Sequence, residues 1–449
     1  MARLFGTDGV RGLANVDLTA PLALELGEAA ARLTIQGRPA SGHKPKAIIG
    51  RDTRISGEFL DHALAAGLAS AGMDVVRVGV VTTPTVAHLT ASSSVDLGVM
   101  ISASHNPMPD NGIKFFAHGG YKLPDQVEDQ IQELLNTSWD RPTGAAVGEV
   151  EYDDDWAEKS YIEHLMTSLG TDLHGLRIAV DCANGGASFL APEAFRQAGA
   201  DAVVINAAPD GRNINDKAGS THPEQLQALT VASEADFGVA YDGDADRCLA
   251  VDRDGNIVDG DKITGALAVH MRDEGQLAKD TLVVTVMSNL GLILAMQEAG
   301  IKTVQTGVGD RYVLEAMLEG GYSLGGEQSG HIIAKKYATT GDGILSSLLL
   351  ARMVKESGRD LADLTSFIKR LPQTLINVGG VDRSRANTDP AVQEAVAAAE
   401  AVLGNTGRVL LRPSGTEPLV RVMVEAATQS QADGVASRLA DVVKENLAL

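Results

Sequence analysis

The sequence has little of several features, and each shortage narrows the class of protein. Only two of its 449 residues are cysteines, Cys182 and Cys248, too few for a disulfide framework, and we expect both to be small core residues. No apolar run reaches the roughly 18 residues that a membrane-spanning helix needs. The opening MARLFGTDGVRG has no apolar core of the kind that signal peptides carry. We therefore expect a cytoplasmic protein with no membrane partner.

Positive charge is also scarce. The chain has 38 Lys and Arg against 59 Asp and Glu, a net charge of −21, so its general surface is poorly suited to bind nucleic acid. An anionic ligand would need positive groups gathered locally against this field, which makes arginines in glycine-rich loops informative. Aromatic residues make up only 4% of the chain, whereas hydrophobic residues make up 44% and glycines number 48. This composition favours a soluble α/β protein with aliphatic cores.

One strand–helix–strand–helix–strand pattern occurs three times. Its strands are predicted at 46–52, 74–80 and 97–104, then at 176–182, 201–207 and 237–243, and finally at 281–287, 302–307 and 322–327. The helices between them are predicted near 57–72, 84–92, 186–198, 223–233, 290–299 and 309–319. Short β-branched runs alternating with amphipathic helices indicate βαβ units and mixed, largely parallel sheets.

The last 80 or so residues differ, since they predict strand, helix, strand, a Gly/Pro loop, strand and helix, which is an α+β pattern. The acidic segment 148–156 is interpreted as a linker, the turn 252–256 closes the second unit, and 371–374 opens the last. The fold class is therefore three similar α/β sandwich domains plus a C-terminal α+β domain. The predicted domains are 1–152, 153–254, 255–371 and 372–449.

Each unit carries one chemically unusual loop. SASHNP, DGDADR and GEQSGH each lie at or just beyond the last strand of a repeat, and RPSGTEP lies between two strands of the fourth domain. Ligands of open parallel sheets bind beyond the carboxyl ends of the strands. Four such loops at equivalent places predict one central cleft that all four domains share.

The loop DGDADR predicts a divalent metal site. Its carboxylates Asp242, Asp244 and Asp246 repel one another unless a cation or water compensates them, and hard oxygen ligands suit Mg²⁺. An ordinary acidic turn is the alternative. A calcium-binding EF-hand is disfavoured because Arg247 and Arg253 stand where that loop needs Gly and Glu.

The loop RPSGTEP predicts an anion site. Gly415 allows a turn with inward N–H groups, Ser414 and Thr416 add hydroxyl donors, and Arg412 and Arg421 add guanidinium groups. Alternation in the following strand puts Val420, Val422 and Val424 on one face and Arg421 on the other. A plain turn is the alternative interpretation.

Other polar residues are less specific. Glu327 and Ser329 offer an acceptor and a donor for sugar hydroxyls or an amine, although a solvated turn is equally compatible with the pattern, and His331 alone is interpreted as structural. Lys114 is either a solvated loop lysine or a proton carrier. Arginines 11, 51 and 54 stand in two further loops that carry no specific signal.

Ser104 is the candidate nucleophile, but an acyl-transfer triad is disfavoured. Ser104 and His105 are adjacent, so on an extended strand end their side chains should point apart, and no GxSxG turn surrounds them. A metal triad, an anion loop and a sugar loop together suit phosphoryl transfer, where positioning and charge neutralisation carry the catalysis. Ser104 is therefore predicted to carry a phosphoryl group, and Ser102 to be structural.

Taken together, these motifs resemble the α-D-phosphohexomutase superfamily over essentially the whole chain. The matching segments, in order, are FGTDGVRG, GRDTRISG, ISASHNP, NGIK, DGDADR, TGVGDRYV, GEQSGHI and RPSGTEP. The forms SASHNP and GEQSGHI are similar to those of the bacterial phosphoglucosamine mutases.

The resemblance implies roles for individual residues. Ser104 would be the phosphoserine and, with Asp242, Asp244 and Asp246, would hold one Mg²⁺ per chain. Proton handling and catalysis would involve Lys114, His105, His331, Arg247 and Arg11. Sugar-phosphate binding would involve Glu327, Ser329, Gly309, Asp310, Arg412, Ser414, Gly415, Thr416 and Arg421.

The resemblance also implies a reaction. Glucosamine 6-phosphate would be converted reversibly to glucosamine 1-phosphate through glucosamine 1,6-bisphosphate, which serves as intermediate and activator, on the route to UDP-N-acetylglucosamine and the cell wall. The substrate would be a small sugar phosphate, and a homodimer is compatible with the family. Glucose or mannose phosphates remain alternative substrates.

Two other functions stay open at the level of sequence. A phosphatase would use Asp242 as nucleophile, although such sites usually have Thr or Val where Asp246 stands. A non-catalytic sugar-phosphate sensor would bind the ligand without Ser104, but it gives no reason for the aspartate triad.

Overall fold

The computed structural model describes residues 3–6, 8–37, 44–414 and 419–449. These residues divide into two compact units, the first formed by Met1–Met287 and Ile301–Ser366 and the second by Ser288–Gly300 and Phe367–Leu449. Within the described ranges, no helix combines the length and the apolar character that crossing a membrane would require.

The first sheet has six strands in the order β1-β5-β4-β2-β3-β6. Strands β2, β3, β4 and β6 are parallel neighbours, and β5 runs antiparallel to both β4 and β1. The strands are β1 (Val10–Leu13), β2 (Lys46–Arg51), β3 (Asp74–Val80), β4 (Leu97–Ile101), β5 (Asp110–Ala117) and β6 (Val150–Tyr152). The helices are α1 (Ala20–Gly37), α2 (Ile55–Ser70), α3 (Thr83–Ser92) and α4 (Asp125–Leu134).

The second sheet has five strands in the order β11-β10-β9-β7-β8. Its three repeat strands β7, β8 and β9 are parallel, and β10 and β11 add an antiparallel hairpin. The elements are α5 (Asp154–Leu169), β7 (Arg177–Asp181), α6 (Ala187–Gln197), β8 (Asp201–Ile205), α7 (Glu224–Ala232), β9 (Phe237–Tyr241), β10 (Cys248–Asp252) and β11 (Ile257–Val258).

The third sheet has four strands in the order β13-β12-β14-β15, of which only β15 is antiparallel. Its elements in the first unit are α8 (Gly260–Asp273), β12 (Thr281–Thr285), β13 (Lys302–Thr306), α10 (Asp310–Gly320), β14 (Leu324–Gly326), β15 (Ile332–Ala334), α11 (Gly343–Ser357) and α12 (Leu361–Thr365).

The second unit contains a three-stranded antiparallel sheet in the order β16-β18-β17. Its elements are α9 (Leu290–Glu298), β16 (Gln373–Gly379), α13 (Pro390–Leu403), β17 (Arg408–Pro413), β18 (Leu419–Glu425) and α14 (Gln429–Leu447). Helix α9 belongs to the third repeat in sequence but packs here, because the buried Glu425 carboxylate accepts hydrogen bonds from Leu290 N and Asn289 Nδ2.

The predicted fold class is confirmed. The repeat strands are mixed but largely parallel in three sheets, and the C-terminal sheet is antiparallel. Every residue of β4, β9 and β12 is buried, as expected for inner strands that helices cover on both faces. Val420, Val422 and Val424 are fully buried on one face of β18, as their alternation predicts.

Three local predictions were wrong. The first repeat's last strand ends at Ile101 rather than 104, because Ser104 takes a left-handed backbone conformation with φ 53°. Segment 148–156 is not only a linker, since Val150–Tyr152 forms the edge strand β6 beside β3. Strand β5 (Asp110–Ala117) is missing from the predicted strands, because its opening Asp-Asn-Gly is a turn signal.

A stacked histidine pair joins α3 to α5. The rings of His88 and His164 lie 4.3 Å apart at 19°, and His88 Nε2 lies 3.2 Å from Ser160 Oγ. Burial, helped by the neighbouring His164, lowers the pKa of His88 from 6.5 to about 4. Burial likewise lowers the pKa of His164. The pair is therefore packed as neutral rings.

This pair predicts a loss of stability in acid. A depressed folded pKa means that the unfolded chain binds more protons between pH 6.5 and about pH 4, so stability falls as pH falls through that window. We expect His88→Gln, which keeps a partner for Ser160, to lose less stability than wild type between pH 7 and pH 4.5. The difference should be ~1–3 kcal/mol in the free energy of unfolding and should show as a smaller drop in Tm. The exposed His222→Gln is the control. An unchanged pH dependence of Tm in His88→Gln would contradict the assignment.

Candidate active site

The loops that follow β4 and β9 meet in the first unit. Ser104 Oγ donates to Asp242 Oδ2 over 2.5 Å, and both residues are 1% exposed. Gly243 allows this approach, because a Cβ at that position would lie 2.6 Å from the carbonyl oxygen of Ser104. The two motifs, 138 residues apart in sequence, therefore form one buried polar site.

Ser104 is held by its own strand end. Ser102 Oγ accepts the N–H of Ser104 over 2.9 Å and donates to Asp52 Oδ2 over 2.6 Å. Ser102 is fully buried, so the structure gives it a positioning role in which its hydroxyl is fully used. The positive φ of Ser104 is costly for a non-glycine residue and persists only where neighbours impose it.

The expectation that Ser104 and His105 point apart was wrong. It assumed an extended chain, but the left-handed turn at Ser104 brings its Oγ within 3.4 Å of His105 Nδ1. An acyl-transfer pair still does not result. Arg247 Nη1 donates to the same His105 Nδ1 over 3.1 Å, while the Ser104 hydroxyl donates to Asp242.

Two residues without a specific sequence signal hold the serine loop. Arg54, fully buried, donates to the carbonyl oxygens of Ser104, Asn106 and Pro107 at 2.6–3.0 Å and forms an ion pair with Asp52. Asn215 Nδ2 donates to the carbonyl oxygens of Ser104 and Asn106 at 2.8 and 3.1 Å. Carbonyl contacts of this kind leave no composition pattern, so reasoning on motifs could not find Asn215.

The aspartate triad fits a small divalent cation. Asp242, Asp244 and Asp246 are all buried, and one carboxylate oxygen from each lies within 4.8 Å of the others. Two buried oxygens, Asp244 Oδ1 and Asp246 Oδ1, have no hydrogen-bond partner. Buried charged oxygens without partners are costly, and Mg²⁺ prefers such hard ligands. The donor set therefore matches the metal that the sequence predicts.

The electrostatics of the triad are uneven. Burial, together with the Asp246 and Asp244 charges, raises the pKa of Asp242 well above its usual value. Burial also acts on Asp246, but the Lys114 ammonium and His331 outweigh it and lower the pKa of that carboxyl. The surroundings thus oppose the charge of Asp242 and favour that of Asp246.

Lys114 lies in the site and is not a solvated loop lysine. It stands on β5 opposite Met100, is 1% exposed, and places Nζ 2.8 Å from Asp244 Oδ2 and 2.9 Å from Asp8 Oδ2. Burial disfavours the ammonium, but the Asp244 and Asp8 charges outweigh it and raise the pKa of Lys114. A buried lysine is rare unless paired, which is why a loop position was a reasonable alternative.

Thr83 completes the surroundings of Asp244. Its hydroxyl donates to Asp244 Oδ2 over 2.6 Å and its backbone N–H donates to the Asp244 carbonyl over 2.9 Å. With Lys114 on the same Oδ2, this oxygen is saturated. Only Oδ1 is left without a hydrogen-bond partner.

Arg247, His105 and Arg11 form the positive side of the site. Because Arg247 donates to His105 Nδ1, that nitrogen is unprotonated, and burial with the nearby Arg247 and Arg11 charges lowers the pKa of His105. Arg11 pairs with Asp8 and lies 3.4 Å from Asn106 Oδ1. The buried Nε atoms of Arg247 and Arg11 have no hydrogen-bond partner, which suits an anion beside them.

His331 lies between two carboxylates. Its Nδ1 is 3.6 Å from Asp246 Oδ2 and its Nε2 is 3.5 Å from Asp310 Oδ2. Burial disfavours the imidazolium, yet the carboxylates raise the pKa of His331 overall. The Gly341 N–H, however, donates to Nε2 over 2.9 Å, so the geometry holds the neutral tautomer with its proton on Nδ1.

The predicted sugar loop lies in the same unit. Glu327 Oε1 accepts the N–H of Gly309 over 3.2 Å, and Ser329 Oγ lies 3.4 Å from Glu327 Oε2. Helix α10 begins at Asp310. Burial disfavours the charge of this carboxylate, but the Lys122 charge outweighs burial and lowers the pKa of Asp310. The loops GEQSGH and TGVGDRYV are thus joined by a direct hydrogen bond. Asp8 and Lys122 are further charged residues here that sequence reasoning missed.

The second unit contains the described part of the predicted anion loop. Arg412 and Arg421 are directly opposite in the β17–β18 register, and burial together with the Arg421 charge lowers the pKa of Arg412. Arg383 donates to the carbonyl oxygen of Ser414. Like charges opposed across a ladder are unfavourable on their own and suit an anion ligand. Gly415 and Thr416 lie outside the described residues.

Comparison with known proteins identifies the family. Four phosphoglucomutase/phosphomannomutase family models match in chain order. They are alpha/beta/alpha domain I at residues 2–141, domain II at 159–255, domain III at 259–371 and the C-terminal domain at 375–442. The chain therefore belongs to the phosphoglucomutase/phosphomannomutase family, as the motif resemblance predicts.

Relatives that match over the full length of the chain belong to one group within this family. The phosphoglucosamine mutase of Bifidobacterium animalis subsp. lactis is 60% identical over 454 residues, and that of Streptomyces coelicolor is 59% identical over 452 residues, each with 100% of both chains covered. These relatives share one activity, that of phosphoglucosamine mutase.

Solved structures agree on the fold. A phosphoglucomutase/phosphomannomutase family protein of Burkholderia thailandensis has a TM-score of 0.81 at 26% identity and covers 99% of this chain and 97% of its own. The Aspergillus fumigatus N-acetylphosphoglucosamine mutase, solved in complex with GlcNAc-6P and magnesium, has a TM-score of 0.70 at 20% identity and covers 99% and 96%.

The uneven triad predicts opposite effects for two matched substitutions. Without metal, Asp246→Asn removes a carboxylate that Lys114 stabilises. It should lower the free energy of unfolding by ~1–3 kcal/mol and so lower Tm. Asp242→Asn removes the repelled charge and should leave Tm equal or higher. Wild-type protein with Mg²⁺ near 100 times its Kd should gain ~2.7 kcal/mol, and both variants should lose most of that gain.

Thermal scans with and without Mg²⁺ after chelator treatment measure these shifts. A full Mg²⁺ gain in both variants would mean that the cation binds elsewhere. A lower metal-free Tm for Asp242→Asn than for Asp246→Asn would show that the charge balance is misassigned.

Proposed function

We propose that the protein interconverts glucosamine 6-phosphate and glucosamine 1-phosphate through a phosphoserine at Ser104. The observation that carries this proposal is the direct contact of the Ser104 hydroxyl with a buried aspartate triad that has unpartnered oxygens. The sugar is proposed from the activity of relatives that are about 60% identical over the whole chain.

Asp242, Asp244 and Asp246, with an oxygen of the phosphorylated Ser104, would hold one Mg²⁺. The cation would supply charge neutralisation for the phosphoryl group. The unpartnered oxygens of Asp244 and Asp246 support this ligand set. Magnesium in the fold relative from Aspergillus fumigatus is compatible with it.

In the proposed first step, a sugar hydroxyl oxygen bonds to phosphorus while the bond between phosphorus and Ser104 Oγ breaks. The Lys114 ammonium is the proposed proton carrier: it would give a proton to the leaving Ser104 oxygen and take up the proton of the attacking hydroxyl in its place. Arg247, whose Nε lacks a hydrogen-bond partner, would offset charge on the transferring group. Positioning and charge neutralisation of this kind account for most catalysis of phosphoryl transfer.

The second step reverses the first on the other hydroxyl. The product of the first step is glucosamine 1,6-bisphosphate, which would turn over and return its other phosphoryl group to Ser104. Glu327 and Ser329, beside Gly309 and Asp310, would hold the sugar hydroxyls. The phosphate that does not react would be bound by Arg412, Ser414, Gly415, Thr416 and Arg421.

His105 and His331 are proposed as supporting residues. The unprotonated Nδ1 of His105, held by Arg247, can accept a hydrogen bond near Ser104. The Nδ1 proton of His331 faces Asp246 and would orient that ligand. Arg11 holds Asp8 and so supports Lys114 indirectly.

The phosphatase hypothesis is less well supported. Asp242 Oδ2 accepts the Ser104 hydroxyl and Oδ1 accepts the Arg247 N–H over 3.3 Å, with the residue 1% exposed. Neither oxygen is free to attack a substrate phosphate in line. Cytoplasmic residence remains a prediction from the composition and a homodimer one from the resemblance, and light scattering on the purified protein tests the second.

Ser104→Ala should abolish the phosphoryl group and the mutase reaction together. We expect kcat for glucosamine 6-phosphate to fall by ~10³-fold or more, because the covalent step is lost. Peptide mass spectrometry of active wild-type protein should place one phosphoryl group on Ser104. The exposed Ser138→Ala is the matched control. Retained turnover in Ser104→Ala, or a phosphoryl group on another residue of active enzyme, would contradict the proposal.

Substrate preference is tested separately by kcat/KM for the 6-phosphates of glucosamine, glucose and mannose. The proposal expects glucosamine 6-phosphate to give the highest value. A higher value for glucose or mannose 6-phosphate would keep the phosphoserine chemistry and replace the sugar.

A further inference from the structure

We propose that Lys122 is a positioning residue of this site, which ties the third-domain loop that carries Asp310 to the carboxylate partner of Lys114. The inference rests on the proposed function. It concerns a residue outside the eight motifs, in the segment that follows β5.

Lys122 is a buried bridge between two acidic residues. Its side chain is 12% exposed, and its Nζ lies 2.5 Å from Asp8 Oδ1 and 2.5 Å from Asp310 Oδ2. Burial disfavours its charge, but the two carboxylates outweigh burial and raise the pKa of Lys122. One ammonium therefore neutralises two carboxylates from parts of the chain about 300 residues apart in sequence.

On the Asp8 side, the bridge reaches the proposed proton carrier. Asp8 Oδ2 lies 2.9 Å from Lys114 Nζ, and Arg11 pairs with the same oxygen. Burial is outweighed by the Lys114 and Lys122 charges, which lower the pKa of Asp8 well below its usual value. The position of the Asp8 carboxylate thus depends on cations on both of its oxygens.

On the Asp310 side, the bridge reaches the sugar loop. Gly309, the preceding residue, donates its N–H to Glu327 Oε1 over 3.2 Å. Gly309, whose φ of 134° favours glycine, is bonded directly to Asp310, so a shift of Asp310 moves the N–H that Glu327 accepts. A displaced Asp310 would therefore displace Gly309 and the Glu327 carboxylate that it holds.

The same bridge closes a ring of charged and polar groups around the site. Lys114 lies 3.8 Å from Asp246, His331 lies 3.6 Å from Asp246 and 3.5 Å from Asp310, and Lys122 joins Asp310 to Asp8. With Asp8 and Lys114 in contact at 2.9 Å, six residues form one closed circuit. Lys122 is the member of this circuit that joins the first and third domains and is not itself assigned to catalysis or ligand binding.

The segment that carries Lys122 is held by the third domain on both sides. Thr339 Oγ1 donates to the carbonyl oxygen of Gly120 over 2.7 Å, and Arg311 Nη2 donates to that of Leu123 over 2.8 Å. These contacts keep the backbone in place without the ammonium. Removing the charge of Lys122 should therefore perturb the two carboxylates more than the fold.

The test compares Lys122→Met with wild type and with the exposed Lys159→Met as control. We expect kcat/KM for glucosamine 6-phosphate to fall by ~10–100-fold, since a misplacement of about 1 Å in a site can cost ~10²-fold. Part of the fall in kcat/KM should come from a rise in KM, because the sugar loop loses the support of the Lys122–Asp310 ion pair. A merely structural role would lower Tm or the active fraction and leave KM unchanged.

A double-mutant cycle with Asp310→Asn keeps the inference testable if Lys122→Met folds poorly. The double variant Lys122→Met/Asp310→Asn lacks one uncompensated carboxylate, so it should fold. The loss of kcat/KM caused by Lys122→Met should be at least ~3-fold smaller in the Asp310→Asn background than in the wild-type background. Additive losses, or a Lys122→Met enzyme with wild-type KM, would overturn the inference. Wild-type protein inactive on all three sugar 6-phosphates would instead overturn the proposed function.

Discussion

The structure of the candidate site depends on one constraint, the burial of many carboxylates in a small volume. Asp242, Asp244 and Asp246 lie together with Asp8 and Asp310 nearby, while Lys114, Lys122 and Arg247 supply the compensating charge. Buried carboxylates are stable only when paired or bound to a cation. The unpartnered oxygens of Asp244 and Asp246 mark the place where protein cations do not complete this balance.

This balance explains why a chain with a net charge of −21 can still handle an anionic substrate. In the first unit, positive groups are drawn inward and each is held by a carboxylate, as Lys114 is by Asp8 and Lys122 by Asp310. In the second unit, Arg412 and Arg421 oppose each other instead. Local arrangement, and not the overall charge, therefore decides where positive charge is available to an anion.

Much of the fold was predictable because inner strands of parallel sheets are continuous apolar runs. Strand β3 has the predicted limits, and the other repeat strands differ by a few residues at their ends. Strand β5 escaped prediction because it begins with Asp-Asn-Gly, a turn signal, and contains a lysine. Its lysine is tolerated in the core only through Asp8 and Asp244, which lie far away in sequence.

The site was predictable where a residue belongs to a dense motif, and not where it acts through a single long-range contact. The triad and Ser104 stand in loops whose composition is unusual by itself. Arg54 and Asn215 act through carbonyl oxygens, and Lys122 acts through carboxylates. These acceptors lie 50–188 residues away, and no local pattern encodes such contacts. The turn at Ser104 is a similar case, because its left-handed backbone is imposed by Ser102, Arg54 and Asn215.

The central claim is that Ser104 and the aspartate triad form a single metal-dependent site. Its most direct test is calorimetric titration of Mg²⁺ into Ser104-phosphorylated and fully dephosphorylated protein. A phosphoryl oxygen adds an anionic ligand to the triad, so it should strengthen binding by ~10-fold or more in Kd, which corresponds to ~1.4 kcal/mol or more. Equal affinities for the two forms would contradict the claim.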